Sequence, residues 1–339
     1  MVPQVSVVVP TLGRPEQMVP LLDSLATQEW IPCEVVVVDG SRPDDMSTEW
    51  ALQQRRRAGL PFRLEHLRSI RGAAVQRNAG LERAQGDLIA CIDDDMRLHP
   101  RHLAEIVKVF ESDASRQVGG VEGYVDNQYT PVETQARWRW YRRLRLFSTY
   151  EPGRFDWKVG YPINPYLAPP FDGTREVDFL SGNNAVWRRE VFASGLRFSA
   201  FFDGGGPLED VHFSLSVGRE WRLLQCGSAH CIHVRAPSGR PGAYLAGHRW
   251  VRNSWFIYRD LQADQSLASA ARFWYVQIVL MAYLAVSGVR HRSRHKFVEL
   301  AGRLRAILGL ALAPLPPAPR LHGGLRQGRP HVDGRGEEP

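Results

Sequence analysis

The 339-residue chain is poor in lysine: only Lys108, Lys158 and Lys296 stand among 43 cationic residues, and the rest are arginine. The formal charge is +7. A skew of this kind follows from GC-rich coding, so the basicity does not mark a nucleic-acid binder and no nucleic-acid partner is expected. Cysteine is scarce too. Cys33, Cys91, Cys226 and Cys231 sit in apolar runs with no CxxC pair. That excludes a disulfide scaffold and fits buried thiols in a reducing compartment. No basic segment precedes an apolar one at the start, where MVPQ leads straight into VSVVVP, so no cleaved signal is expected. No G-x-G-x-x-G follows the first apolar run and no G-x-x-x-x-G-K-[ST] occurs, which weighs against a dinucleotide oxidoreductase and a P-loop enzyme. No internal repeat is visible. Hydrophobic residues at 44% and charged residues at 23% exclude a wholly disordered or fibrous chain. The length allows one large or two modest domains.

What is present is an alternation of apolar runs and amphipathic stretches. Residues 5–10 (VSVVVP), 34–39 (EVVVVD) and 87–93 (DLIACID) read as strands buried on both faces. Met18, Leu21, Leu22 and Leu25 follow helical spacing, as do Leu103, Ile106, Val107 and Phe110. Pro15 and Pro100 suit first-turn positions. The alternation predicts an α/β fold with a mostly parallel, Rossmann-like sheet and helices on both faces. Ligands of such sheets bind beyond the carboxyl ends of the strands. Short strands are expected at 177–180 and 222–225, helices from about 245 to 312, and disorder in the Pro-, Gly- and Arg-rich tail 314–339.

Asp93, Asp94 and Asp95 follow the third run directly. Adjacent carboxylates repel one another. A fold that gathers three at a strand end therefore supplies a cation, unless they form a solvated acidic turn. As hard oxygen ligands they suit Mg²⁺ or Mn²⁺, which takes one or two carboxylates and bridges to phosphates.

The triplet belongs to an ordered set. Pro10-Thr11 ends the first run and Asp39-Gly40-Ser41 the second. Arg71-Gly72, Arg77-Asn78-Ala79-Gly80 and Gly86-Asp87 precede the third. Glu209-Asp210 comes later, and Trp221-Arg222 leads towards His233. In this order and spacing, over roughly residues 4–260, the chain resembles the family 2 glycosyltransferases, which have the GT-A fold and a DXD metal motif, and it departs from their pattern at Glu220, where they usually carry glycine. The resemblance implies an inverting, metal-dependent transferase. It implies donor-binding residues Pro10, Thr11, Arg14, Asp39, Arg71, Arg77, Asn78, Asp93 and Asp94, metal ligands Asp95, Asp93 and His233, and catalytic residues Asp210 and Glu209. The cofactor is then Mg²⁺ or Mn²⁺. The partners are a nucleoside-diphosphate sugar and a glycan, lipid-linked or small-molecule acceptor. Arg252-Asn253 resembles the rhamnosyl-type members.

Each match has its own chemistry. Asp39 can accept the imide N–H of uracil or thymine, favouring UDP or dTDP, or it can form a turn. Arg77 can face phosphates, brace the acidic cluster or lie on a helix surface. Asp210 can take the proton of an acceptor hydroxyl, with Glu209 orienting it, or the pair can cap a helix. The Cys226–His233 stretch fits no zinc module. His233 is either a third ligand or structural. Trp187, beside the Ser181-Gly182-Asn183-Asn184 turn, suits an acceptor wall or a core position equally.

By this organisation, residues 1–122 form the donor half and 123–237 the acceptor and catalytic half. Residues 238–313 form a helical extension and 314–339 a tail. In RWRWYRRLRLF (137–147), Trp140, Tyr141, Leu144 and Phe147 share a helical face amid arginines, against the core, a membrane surface or an acidic acceptor. Residues 273–289 are apolar at the lower limit of a membrane span, and 307–315 are too short to span. A helical hairpin docked on the core or the membrane interface is expected, with a cytoplasmic location and peripheral membrane contact. The rivals are a nucleotidyltransferase on a related sheet and a non-catalytic nucleotide-sugar or glycan binder.

Overall fold

The structure, a computed structural model, describes residues 2–131, 136–202, 206–236 and 241–312. Gly204 and Gly205 of the glycine-rich turn and the tail 314–339 lie outside the described residues. The first half runs β1 (Val5–Thr11), α1 (Pro15–Ala26), β2 (Glu34–Asp39), α2 (Ser47–Ala58), β3 (Arg63–Arg68), α3 (Ala73–Arg83), β4 (Leu88–Ile92), β5 (Met96–Leu98) and α4 (His102–Ser112). The second runs β6 (Val118–Val125), α5 (Ala136–Arg143), β7 (Phe155–Asp156), β8 (Tyr161–Pro162), β9 (Thr174–Val177), β10 (Asn184–Arg188), α6 (Glu209–Val217) and β11 (Arg222–His233). Three helices follow: α7 (Ala243–Leu261), α8 (Leu267–Arg290) and α9 (Arg294–Leu312).

The valine-rich runs become neighbouring parallel strands because both of their faces are covered. Every residue of β1, β2 and β4 is buried. The main sheet has the order β3-β2-β1-β4-β10-β6-β11-β5, with β9 paired to β11. The first four strands are parallel. β10 runs antiparallel between β4 and β6, so the two halves of the chain share one sheet. On one face, Met18, Leu21, Leu22 and Leu25 of α1 and Leu103, Ile106 and Phe110 of α4 fill a core with Val7, Val9 and Ile92. On the other, α3, α6 and α7 cover Val8, Val36 and Trp187. Gly80 lets α3 close on β1, since a Cβ there would stand 2.2 Å from Val8 Cγ1.

Several boundaries differ from expectation. The strand expected at 177–180 is Thr174–Val177, and 222–225 is the start of a twelve-residue strand. Its pairing with β6 shifts register between Cys226 and His230, a bulge that redirects its end. Pro100 precedes α4 rather than sitting in its first turn. The face expected on α5 is only half right. Tyr141 and Phe147 are buried, but they pack with Trp138, while Trp140 is 60% exposed. The cause is the helix end: α5 stops at Arg143, and Arg145 turns with φ 48°, which swings Leu146 and Phe147 back onto Tyr141. Trp187 is a core residue, edge-on to Phe213 and against Gly120.

α7 and α9 cross at glycines. A Cβ on Gly302 would sit 1.9 Å from the Tyr244 carbonyl, and one on Gly247 would sit 2.2 Å from the Glu299 carbonyl. α5 and α8 share a third core in which Trp138, Tyr141 and Phe147 meet Val276 and Leu280.

Candidate active site

The carboxyl ends of β1 and β4 and the first turn of α3 open into a cleft of about 380 Å³. Its walls carry Pro10, Thr11, Arg14, Arg71, Arg77, Asp93 and Glu209, which sequence reasoning had singled out. They also carry Leu12, Gly72, Ala73, Gln76, Pro241, Leu245 and Arg249. The last three come from the start of α7 and the residues before it, so the helical extension forms part of the cleft.

Arg77 is the centre of the electrostatics. It is buried on α3, not on the helix surface. Its Nη2 donates to Asp93 Oδ1 at 2.9 Å and to the Gly182 carbonyl at 2.9 Å, and its Nη1 donates to Glu209 Oε1 at 3.2 Å. One planar fork therefore joins the end of β4 to the start of α6. Burial lowers the affinity of Arg77 for its proton, but Asp93 and Glu209 more than offset this. Burial raises the Asp93 carboxyl, with Arg77 pulling the other way. Burial and the neighbouring Asp210 push Glu209 up, against Arg77.

The three aspartates have separate partners. Asp94 is fully buried and accepts from the Thr11 hydroxyl at 2.6 Å and Arg14 Nε at 3.0 Å, which ties β1 to the turn after β4. Asp93 turns to Arg77. Asp95 Oδ1 lies 3.2 Å from His233 Nε2, and its Oδ2 accepts from the Ala236 N–H at 2.9 Å. Burial works to raise Asp95, but His233 and Ala236 hold it below the usual carboxylate range. His233 reaches it because β11 pairs antiparallel with β5, setting His233 opposite Met96.

Asp39 ends β2 fully buried. Oδ1 accepts from the Ser41 N–H at 2.9 Å, the turn geometry of one expectation. Oδ2 takes no hydrogen bond among the described residues, although Arg68 Nη1 stands 3.3 Å away. Burial would raise the carboxyl, but His66, Ser41 and Arg68 together hold it at about 2. It is an ionised carboxylate whose Oδ2 lies beside Arg68 and 3.8 Å from His66 Nε2.

Across the cleft, Leu208 adopts φ 80° immediately before Glu209 and Asp210 open α6. A left-handed leucine is strained, and a tightly packed neighbourhood holds it. Asp210 Oδ2 accepts from the Gly182 N–H at 2.9 Å. The Ser181–Gly182 turn is itself fixed from below, where the buried Glu122 of β6 accepts from the Ser181 N–H at 2.6 Å and Gln225 Nε2 at 2.9 Å. Burial pushes Glu122 up to about 7, against its Ser181 hydrogen bond and Arg175.

Asn78 is not brought into the cleft. Its amide donates to the Phe198 carbonyl at 2.8 Å and accepts from the Phe198 N–H at 3.0 Å. Sequence reasoning missed Gln76, whose amide nitrogen donates at 2.7 Å to both the Thr11 and Val38 carbonyls and so locks the tips of β1 and β2. Its one signal is its place beside Arg77. Glu122 could have been noticed as a lone acid in an otherwise uncharged strand. Nothing in the sequence marked Arg249.

Among the described residues, no three His, Cys, Asp or Glu side chains converge as a closed metal cage. Asp95 and His233 nevertheless present an oxygen and an imidazole nitrogen side by side, and Asp93, two residues before Asp95, lies close enough to feel both charges. Such an incomplete donor set suits an ion whose remaining ligands are phosphate oxygens and water.

Comparisons with known proteins agree with this architecture. The chain aligns over 155 residues, at 27% identity, with an uncharacterized glycosyltransferase, YwdF, of Bacillus subtilis, covering 44% of this chain and 56% of that one. It aligns at 30% over 191 residues with the succinoglycan biosynthesis protein ExoO of Rhizobium meliloti, covering 56% and 48%. The chain thus spans about half the length of these curated relatives. Among solved structures it resembles a mannosyltransferase from Pyrobaculum calidifontis in complex with GDP-Man and Mn²⁺, at 17% identity and TM-score 0.52 over 94% of this chain and 78% of that one. It also resembles GalNAc-T7 with UDP, GalNAc and Mn²⁺, at 15% identity and TM-score 0.54, covering 79% and 53%. The fold is GT-A, as expected from the sequence. Residues 6–194 match the family described as Glycosyl transferase family 2, and with more than half of its length so matched the chain belongs to that family.

Proposed function

We propose that the protein transfers a sugar from a nucleoside-diphosphate sugar to an acceptor hydroxyl with inversion. The carrying observation is the Arg77 fork, which joins Asp93 to Glu209, the neighbour of Asp210, across one cleft; this supports reading Asp93 as donor-side and Asp210 as acceptor-side. Arg14, Arg71 and Arg249 supply positive charge along the cleft wall for a diphosphate. Asp39, an ionised acceptor at the tip of β2, suits the imide N–H of a pyrimidine, so UDP or dTDP is the favoured carrier. Asp95 and His233, with Asp93, would hold Mg²⁺ or Mn²⁺, which when bound neutralises charge on the departing diphosphate.

Asp210 accepts the hydroxyl proton as the acceptor oxygen bonds to the anomeric carbon. The bond to the diphosphate oxygen breaks, and that oxygen keeps the electron pair. A single displacement inverts the centre. The Gly182 N–H holds Asp210 in place, and Glu209, tied to Arg77, orients its neighbour. The acceptor is a glycan, lipid-linked or small-molecule hydroxyl compound. The names of the relatives favour polysaccharide biosynthesis.

Asp210→Asn is the decisive variant. It is expected to keep the thermal shift given by UDP or dTDP with Mn²⁺ while transfer falls by about 10³-fold. Near-normal turnover overturns the base assignment. A wild-type protein that no nucleotide stabilises overturns the donor class.

A further inference from the structure

α8 has two unlike sides. Its inner side, with Phe273, Val276, Gln277 and Leu280, is buried against the protein. Its outer side carries Leu267, Tyr275, Ile278, Ala282, Val286 and Val289, all exposed. At 100° per residue these fall within an arc of about 100°, forming one apolar stripe along a helix of roughly 36 Å. Val286 and Val289 are 66% and 68% exposed, as much as surface charges usually are. Arg272 and Arg290 are eighteen residues, or five turns, apart, so they share one edge of the stripe.

The surroundings are cationic. No acidic residue occurs from 267 to 298, and the turn into α9 and that helix's first residues hold Arg292, Arg294 and Lys296. α5 packs beside α8, with Tyr141 edge-on to Tyr283. Its outer side exposes Trp140 with Arg139, Arg142 and Arg143, and none of these arginines forms an ion pair among the described residues. An apolar stripe bordered by arginines and a tryptophan complements one kind of surface, an acyl layer beneath anionic headgroups.

We propose that α8, flanked by α5 and the basic turn, is a docking platform that lies flat on an anionic phospholipid surface. α8 also meets the length and hydropathy of a span, but its inner side is packed on protein and Gln277 buries both amide atoms there. Flat attachment leaves that packing intact. α7 connects the platform to the cleft, because it packs on α9 and also supplies Leu245 and Arg249. The acceptor class that follows is lipid-linked, presented at the bilayer surface. That consequence rests on the proposed transfer reaction, whereas the docking itself does not.

The test is co-sedimentation of the purified full chain with phosphatidylcholine vesicles, with and without phosphatidylglycerol. Binding is expected only with phosphatidylglycerol and is expected to weaken with salt. Changing Arg139, Arg142 and Arg143 together to Gln lowers vesicle affinity roughly 100-fold. Ile278→Asp with Val286→Asp abolishes vesicle binding while circular dichroism and the nucleotide thermal shift stay unchanged. Equal binding to neutral vesicles, or none to either, overturns the proposal. So does resistance to alkaline carbonate extraction, which identifies a spanning helix, or a dimer dissolved by the Asp pair, which identifies a second copy as the occupant. A protein that binds nucleotide but ignores vesicles overturns this proposal alone.

Discussion

At the residue scale, one short motif proves to hold three separate tasks. Within Arg77-Asn78-Ala79-Gly80, the arginine bridges the carboxylates, the asparagine pins Phe198, and the glycine allows contact with Val8. The spacing exposed the motif but not the division of labour, because helical neighbours point about 100° apart. The aspartate triplet divides in the same way, since three adjacent residues at a turn cannot face one direction. Asp94 was legible as an acid at a strand end, but its burial under Thr11 and Arg14 depends on a partner eighty residues away.

Glu122 carries the clearest pH consequence. Burial raises its carboxyl to about 7, from an ordinary value near 4.5. The folded protein therefore favours the neutral acid, and stability declines as pH rises from about 4.5 through 7. Glu122→Gln removes this titration. The melting temperature of the variant relative to wild type is expected to rise between pH 5 and pH 8, on top of a constant offset. A difference that stays flat across that range, measured by differential scanning calorimetry, contradicts the assignment.

At the element scale, legibility followed hydrophobic contrast. β1, β2 and β4 are continuous apolar runs and were plain in the sequence. β3 reads RLEHLR, with only two apolar residues and no regular alternation, and lies at an edge. β5 has three residues, and β6 contains Gly119, Gly120 and Gly123. None of these gives a strong periodic signal, and they become strands because neighbours offer hydrogen-bonding edges. The α7–α9 crossing was illegible for a related reason: a glycine in a helix is ordinary until another backbone rests on it. Gly302→Val is expected to lower stability by about 1–3 kcal/mol and to weaken donor binding through displaced Leu245 and Arg249. Urea unfolding and a nucleotide titration measure the two effects. Val at Gly309 on the same helix, where only the tip of Arg305 approaches, is the control and is expected to change neither by much.

At the scale of the whole molecule, the helical extension that looked like an appendage belongs to the cleft wall. A chain ended after residue 293 keeps the sheet but loses α9, the partner of α7. It is expected to melt at lower temperature and to lose much of the nucleotide-induced thermal shift. An unchanged shift in that shortened protein indicates that α7 holds its place unaided. The sequence placed the β1–β4 side of the cleft well because its strands and acids are close together in the chain. It placed the far wall poorly, because Arg249 joins Arg14 only through the folded sheet.

The antiparallel insertion of β10 between β4 and β6 also has a bearing on synthesis. The first half of the sheet emerges with the outer edge of β4 bare, and the residues that cover it lie about ninety positions later. At translation speeds of about 5–20 residues per second, that edge stays open for roughly 5–20 s. During that interval the nascent chain presents an apolar strand with unpaired backbone groups, which is an invitation to aggregation and a natural target for a chaperone at the ribosome exit.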